Sequence, residues 1–323
     1  MIITNKLTEQ EARGCMLDAE DILKQDEGHI VNGLCVLQSF SICPQKNGGR
    51  FAAGTLQSQG AIPFKAWGNS PAFAPLSDGA DEYKNRIVWI TGSISKYGGV
   101  TAVILDNISL ANDVEDALTP LDFMKDVYDA DDILKQIRGL LSARCSEGIP
   151  ELFDEIAAPV MDRLKSEFAA VSHHDNVKGG LIAHTLKVMK ISDVIGMYPG
   201  LLDKVSADAI YLGCALHDIG KIFEYENGSV SGIGKKLSHH TLGVRFLLKN
   251  EKEITEKTSP EFFDILLSII EQHHGEFEER PRTVAAYLVH KFDVLESALT
   301  SLATAISSAT DDQIAYDGFK LSF

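Results

Sequence analysis

The order of apolar and polar positions changes character twice along this chain. A polar stretch with helical spacing runs to about Gln25. Between His29 and Leu110 the apolar residues fall into five short runs, HIVNGLCVLQSF, RFAAGTLQS, AIPFKAW, RIVWITGSISK and VTAVILDNISL, separated by glycine-rich segments. Runs of this length bounded by turn residues predict strands, and Tyr97-Gly98-Gly99 predicts a hairpin turn between the last two. From about Asp113 the apolar residues recur every three or four positions. That spacing predicts helices over residues 120–128, 130–144, 150–170, 181–195, 206–217, 240–249, 260–274 and 283–305. Gly148, Gly179-Gly180, Gly220 and Gly275 interrupt the pattern where helix ends need tight or left-handed backbone. The segment from Glu224 to Lys236, with Gly228, Gly232 and Gly234, predicts a mobile loop.

Five short strands in roughly 80 residues suit a Greek-key barrel of the OB type; another small barrel or a sandwich would satisfy the same pattern. At 323 residues the chain is long for one core and suits two domains. The fold class expected is α+β and multidomain: a five-stranded OB-type β-barrel in residues 1–112, first helices acting as a linker in 113–165, and an all-α domain in 166–323. With 45% hydrophobic and 24% charged residues, the composition excludes a disordered or fibrous chain. No apolar run approaches the roughly 20 residues that span a bilayer, and the first residues lack a basic start followed by an apolar stretch. A cytoplasmic protein with no membrane partner is therefore expected.

Five cysteines, Cys15, Cys35, Cys43, Cys145 and Cys214, are odd in number and never form a CxxC pair. They predict reduced side chains, not a disulfide frame or a zinc site. The formal net charge of -16 argues against a basic coat for gripping nucleic acid. The acidic excess lies outside the strand-rich segment, because His29 to Leu110 carries six basic and four acidic residues.

Candidate chemistry is concentrated in the helical half. Seven of the ten histidines lie between His184 and His290, and several occupy positions that the apolar stripes turn inward. His273 follows Phe262, Ile265, Leu266 and Ile269 at helical spacing, and His184 sits three residues after Leu181 and four before Val188. Asp293 repeats the puzzle within AAYLVHKFDVLESAL. A buried imidazole needs a hydrogen-bond partner or a metal, and a carboxylate buried without a cation is costly. Taken singly, each of these residues is more often a satisfied core or surface group than a ligand. Two divalent ions would satisfy them all at once. Imidazole nitrogen and carboxylate oxygen suit Mn first, with Fe, Zn, Mg or Ni as alternatives, and no cysteine is offered. The adjacent pair His217-Asp218 is the natural centre, since Asp218 can bridge two ions through its two oxygens.

GGLIAHT supplies His184, ALHDIGK supplies His217 and Asp218, and HKFD supplies Asp293. A histidine, an adjacent His-Asp pair and a distant aspartate in that order resemble the HD superfamily of metal-dependent phosphohydrolases. SHHTLG and EQHHGE are similar to the extra histidines of its dinuclear members, best at His239 and His273. The resemblance extends over nearly the whole chain to the YhaM-type 3′→5′ exoribonucleases, which join an N-terminal OB-fold to an HD domain. NGLCVLQSF, RFAAGTLQS and AIPFKAW look like that family's barrel strands, and the run HHGE…RPRT…HKFD looks like its later helices.

That resemblance implies one ion on His184, His217, Asp218 and Asp293 and a second on Asp218, His239 and His273. It implies a bridging hydroxide as nucleophile, because two cations lower the pKa of bound water, and it makes residues 166–323 the HD phosphohydrolase domain. Asp218 and Lys221 become the catalytic pair, with Lys221 placed one helical turn after His217 to reach a phosphate oxygen; the alternative is a solvated helix-end lysine. His240 and His274 are candidates to orient a ligand or touch substrate. His174 and Arg282 are substrate-contact candidates that surface placement explains equally well, and His290 is expected to be a structural neighbour of Asp293.

The activity implied is 3′→5′ exonucleolytic cleavage of single-stranded RNA, or DNA, to 5′-mononucleotides. OB barrels bind single strands with a basic groove and stacking rings, each base adding about 1 to 3 kcal/mol. Lys65 and Trp67 share one face of a strand, opposite Phe64, and are the candidate contacts; Phe51, Trp89 and Tyr97 could add rings or simply fill the barrel. Three rivals use the same residues: an HD-type nucleotide or cyclic-nucleotide phosphohydrolase, a diiron oxygenase on the same helical frame, and a non-catalytic single-strand binding protein. The pattern is compatible with either a monomer or an oligomer.

Overall fold

The computed structural model describes residues 6–45, 48–97, 99–114, 116–125, 127–169, 177–226, 229–275, 280–307, 309 and 313–322. The chain divides into two compact units, Met1–Lys125 and Asp126–Phe323.

The five apolar runs of the first unit form strands β1 (Ile30–Pro44), β2 (Arg50–Gln57), β3 (Ala61–Trp67), β4 (Ile87–Tyr97) and β5 (Val100–Leu110). They close into a barrel in the order β1-β2-β3-β5-β4, antiparallel everywhere except β3 against β5, where Phe64 lies opposite Val103. This is the OB topology. Strand β1 serves two neighbours, pairing with β4 over Ile30–Val36 and with β2 over Val36–Pro44, and its register shifts between Leu37 and Ser39. Gly54 faces that bend. A Cβ there would lie 2.0 Å from the Ser39 carbonyl oxygen, so only glycine allows the sheet to coil this tightly.

Period-two alternation fills the barrel. Ile62, Phe64 and Ala66 of β3 point inward with Leu37, Leu56, Ile90 and Leu105, leaving Lys65 and Trp67 on the outer face. Two short helices, α1 (Glu9–Gly14) and α2 (Ala19–Lys24), precede β1 and are capped by Thr8 and Asp18. Two more, α3 (Phe73–Asp78) and α4 (Ala80–Tyr83), connect β3 to β4. The segment after β5 folds back on the barrel's outside, where Val114, Leu118 and Phe123 pack on Leu34, Val36 and Ile87. The helix expected over 120–128 is only a 3-10 turn at Pro120–Phe123. Of the expected Tyr97-Gly98-Gly99 turn, Gly98 lies outside the described residues, while Tyr97 pairs with Val100.

The second unit is helical: α5 (Ala130–Arg144), α6 (Ile149–Ala157), α7 (Met161–Ser166), α8 (Gly180–Ser192), α9 (Pro199–Leu202), α10 (Ala207–Leu216) and α11 (Lys221–Glu224). Then follow α12 (His239–Lys249), α13 (Glu251–Lys257), α14 (Pro260–Gln272) and α15 (Val284–Ser307). Their inward stripes, including Ile137, Phe153, Leu212, Leu266 and Val289, form one core. The single helix expected over 150–170 is broken by a 3-10 turn at Ala158–Val160, because Pro159 has no N–H to continue the α-helical ladder. Two small hairpins add to the helices, β6 (Tyr225–Glu226) with β7 (Ser229–Val230) and β8 (Gln313–Tyr316) with β9 (Phe319–Ser322). Strands of two to four residues are too short to register as a period. Among the described residues no helix is long and apolar enough to cross a membrane.

Candidate metal centre

Helix ends build the site. His217 and Asp218 follow the last turn of α10, Lys221 opens α11, His239 and His240 open α12, and His273 and His274 follow α14. His184 comes from the second turn of α8, which starts behind the left-handed Gly179, and Asp293 from the middle of α15. Side chains from six helices converge here, most of them from helix ends.

Asp218 is the hub. Its Oδ2 lies 3.3 Å from His217 Nε2, 3.5 Å from His184 Nε2 and 2.7 Å from Lys221 Nζ. Its Oδ1 faces the other way, 3.6 Å from His239 Nε2 and 3.5 Å from His273 Nε2. Asp293 closes the first group, its Oδ1 being 3.1 Å from His184 Nε2 and 4.0 Å from His217 Nε2. The second group is larger than expected, because His239, His240, His273 and His274 all bring a ring nitrogen within 4.8 Å of one another. His240 is buried, its ring centroid 4.1 Å from those of both His239 and His274. The structure thus puts His240 and His274 inside the cluster.

Each of the four expected imidazole ligands has its Nδ1 occupied, so that Nε2 is the atom turned to the centre. His184 Nδ1 donates to Glu296 Oε2 at 2.7 Å and His239 Nδ1 to Glu224 Oε2 at 3.0 Å. His217 Nδ1 donates to the Cys214 carbonyl at 2.8 Å and His273 Nδ1 to the Ile270 carbonyl at 3.0 Å. Partners of this kind set the tautomer of a metal-binding histidine. Glu296 is itself held by Thr300 Oγ1 at 2.6 Å and Lys187 Nζ at 3.3 Å. The reading of the sequence did not single out Glu296 or Glu224. Glu296 carried a usable signal, since it is an acid three residues after Asp293 on the same inward stripe.

The other expected residues are placed as follows. Lys221 is nearly buried and bonded to Asp218, which excludes the solvated helix-end alternative. His290 is buried and donates from Nδ1 to the His273 carbonyl at 2.7 Å, tying α15 to the end of α14. Arg282 is exposed after α14, its backbone N–H held by Gln272. His174 lies outside the described residues. Of the Glu224–Lys236 segment, Asn227 and Gly228 lie outside the described residues; the flanking residues are held by the β6–β7 pairing and by Ser231, whose N–H donates to the Glu224 carbonyl and whose Oγ donates to that of Phe223.

Burial and charge oppose one another here. Burial lowers His184, but hydrogen bonds to Asp293 and Glu296 outweigh it and hold its pKa at about 9. Burial pushes His239 down to about 3 and His273 to about 4. Burial would raise the Asp218 carboxyl, yet Lys221 and His217 hold it well below the ordinary carboxylate range.

Whether these residues suit a metal can be judged from what is left over. Asp218 Oδ1, His239 Nε2 and His273 Nε2 are buried with no hydrogen-bond partner among the described residues, an arrangement that costs free energy unless a cation faces them. The donor set is imidazole and carboxylate with no thiolate, and burial raises the nearby Cys214 thiol to about 12. The set fits borderline and hard divalent ions.

Two predictions follow from this arrangement. Glu296→Gln keeps the shape but removes the charge that fixes His184, and metal affinity should fall roughly 10- to 100-fold; a competition titration against a fluorescent chelator reads this, and an unchanged affinity would contradict the role of Glu296. In metal-stripped protein His239 and His273 are neutral when folded, with pKa values below their ordinary 6.5. Their contribution to stability is complete above about pH 6.5 and is lost as pH falls through about 4, because the unfolded state takes up the protons first. Urea midpoints should decline over that window, and a flat profile there would count against the burial of these rings.

The family model described as HD domain matches residues 181–298. The chain is 25% identical over 299 residues to the 3′-5′ exoribonuclease YhaM of Geobacillus sp. (strain WCH70), an alignment covering 89% of this chain and 88% of the relative. It is 32% identical over 150 residues to the dihydroneopterin 2′,3′-cyclic phosphate phosphodiesterase of Methanocaldococcus jannaschii, covering 44% of this chain and 55% of that protein. Among solved structures, the mitochondrial single-stranded DNA binding protein Rim1 of S. cerevisiae matches 26% of this chain and 97% of its own, with 17% identity and a TM-score of 0.23. The helical half of the chain therefore contains an HD domain at residues 181–298, and its histidine and aspartate cluster supports a metal-dependent phosphohydrolase.

Proposed function

We propose that this protein is a 3′→5′ exonuclease that shortens single-stranded RNA and releases 5′-mononucleotides. One observation carries the chemistry: the two oxygens of Asp218 face two separate groups of ring nitrogens. His184, His217, Asp218 and Asp293 would hold one divalent ion, and Asp218, His239 and His273 a second, with His240 and His274 beside it. Bound there, the pair would supply Lewis acidity and a water of lowered pKa; manganese is the ion proposed, and the cytoplasm the place. Lys221 is the chain's own cation at the reacting phosphate. Once the charge of Asp218 is balanced, its ammonium can turn to a non-bridging oxygen. Glu296 and Glu224 keep the rings of His184 and His239 aimed.

Similarity to YhaM along 89% of the chain supports a nucleic-acid substrate, and so does the outer face of the barrel. There Lys65 Nζ lies 5.9 Å from the Trp67 ring, the Phe51 ring lies 5.3 Å from Trp67 at a tilt of 42°, and the Arg50 guanidinium covers the buried Phe73 at 5.7 Å. Interleaved rings and cations of this kind form a platform for unpaired bases. Trp89 does not join it, because its Nε1–H donates to Asp113 beneath the segment that follows β5.

A second reading is favoured by the 32% identity over 150 residues to a dihydroneopterin 2′,3′-cyclic phosphate phosphodiesterase. Incubating manganese-loaded protein with 5′-labelled and 3′-labelled oligoribonucleotides, beside nucleoside 2′,3′-cyclic phosphates, separates the two. The exonuclease should release the 3′ label at once and shorten the 5′-labelled strand stepwise, and a chelator should stop both. Intact oligomers with the cyclic phosphates consumed would replace it with the second reading.

A further inference from the structure

The second unit contains a cavity of about 480 Å³ that the metal chemistry does not use. Phe223 and Tyr225 line it, while Glu224 between them bonds His239 instead. One wall is α12, which contributes Leu242 and Phe246 together with Arg245 and Lys249. The last two stand four residues apart and so share a helix face. Both are exposed, and among the described residues neither is bonded to a carboxylate.

The rest of the frame is built in advance. Arg163 donates from Nη2 to Glu167 Oε2 at 2.8 Å and to the Tyr225 carbonyl at 2.6 Å, so its charge is already engaged in holding the wall. The turn at Ser231 is fixed by Ser231 Oγ, which donates to the Phe223 carbonyl at 2.7 Å and accepts from Gly234 N at 2.9 Å. Phe223 and Phe246 form a ring pair 5.6 Å apart. A preformed, largely apolar cleft with a few convergent polar groups is the usual form of a small-ligand site.

Its chemistry selects the ligand. Arg245 and Lys249, neither bonded to a carboxylate among the described residues, outnumber the one acid in the lining, Glu226, and suit a phosphate through charge-assisted hydrogen bonds. Rings and aliphatic side chains over the remainder suit a flat heterocycle. Inorganic phosphate alone would leave that apolar wall uncovered, and a neutral nucleoside would leave the cations unmatched. We propose that this cavity is a second ligand site that takes a mononucleotide, its phosphate between Arg245 and Lys249 and its base against Phe223, Tyr225 and Phe246. The residues involved are not those of the metal centre, so the site does not depend on the exonuclease reading.

Calorimetric titration of the full chain tests it. Excess chelator silences the metal centre, and adenosine monophosphate, adenosine and inorganic phosphate are the three probes. The monophosphate should bind in chelator, more tightly than either part alone. It should bind at least about tenfold more weakly to the double variant Arg245→Glu, Lys249→Glu, which loses two charge-assisted bonds. The neutral pair Arg245→Gln, Lys249→Gln should weaken binding in the same direction, and unchanged urea midpoints would show that both variants are folded. Absence of monophosphate binding in chelator, or equal binding by the charge-reversed variant, would overturn the site. Phosphate binding as tight as that of the monophosphate would overturn the nucleotide as its ligand.

Discussion

Asp218→Asn should lower metal-dependent phosphodiester hydrolysis by at least about a thousandfold, since the stabilisation supplied by a two-ion site is worth several kcal/mol. The amide keeps one oxygen, so it can face one histidine group but not both, and it lacks the charge that would hold two cations. Metal content after dialysis should fall with activity. The same change should destabilise the metal-free fold by about 3–5 kcal/mol, because it leaves a buried ammonium without its partner; Lys221 has only 13% of its side chain exposed and sits 2.7 Å from Asp218. Adding Lys221→Gln should recover much of that stability while activity stays lost. Urea unfolding and a hydrolysis assay on the single and double variants check both halves. Near-normal turnover by Asp218→Asn would remove Asp218 from the centre of the mechanism.

Gly220→Ala should separate the two ligand groups. A Cβ at Gly220 would lie 1.8 Å from the His239 carbonyl oxygen and 2.6 Å from Gly243 N. Both are backbone atoms, so no side-chain rotation relieves the clash. The start of α12 must move off by roughly 1.5 Å, a displacement large enough to cost about a hundredfold in rate at a reacting centre. His239 then leaves Asp218 Oδ1, while His184, His217 and Asp293 keep their contacts with one another. Bound metal should drop from two ions per chain to one, with hydrolysis falling about a hundredfold or more. Gly243→Ala is the control. Its Cβ would meet a side-chain methyl, Ile270 Cγ2, at 2.7 Å and come no nearer than 3.5 Å to the Gly220 N, so its effect on the two ligand groups should be milder. Full metal content and normal rate in Gly220→Ala would show that the close contact of these two segments is not what joins the groups.

Much of the barrel was legible because its signal is local. The runs AIPFKAW and VTAVILDNISL coincide with β3 and β5, since an alternating face must be buried wherever such a strand lies. Helices α5 and α10 were legible for the same reason, their inward stripes being complete within one segment. Pro159 marks where that logic fails: the apolar spacing continues through it, but the missing N–H breaks the helix.

The amino-acid sequence by itself determined the change from strand-rich to helical pattern, the inward-pointing histidines and the motifs that hold His184, His217, Asp218 and Asp293. It could do so because each of these is a matter of residue type and short-range spacing. Only the tertiary structure decided which nitrogen of each ring faces the centre, that Asp218 turns one oxygen to each histidine group, and that His240 and His274 belong with His239 and His273. The contact that aims His184 comes from Glu296, 112 positions away, and the one that aims His239 comes from Glu224 at the end of α11. Such pairings depend on how helices cross and where their ends stop, and no periodicity along the chain records that.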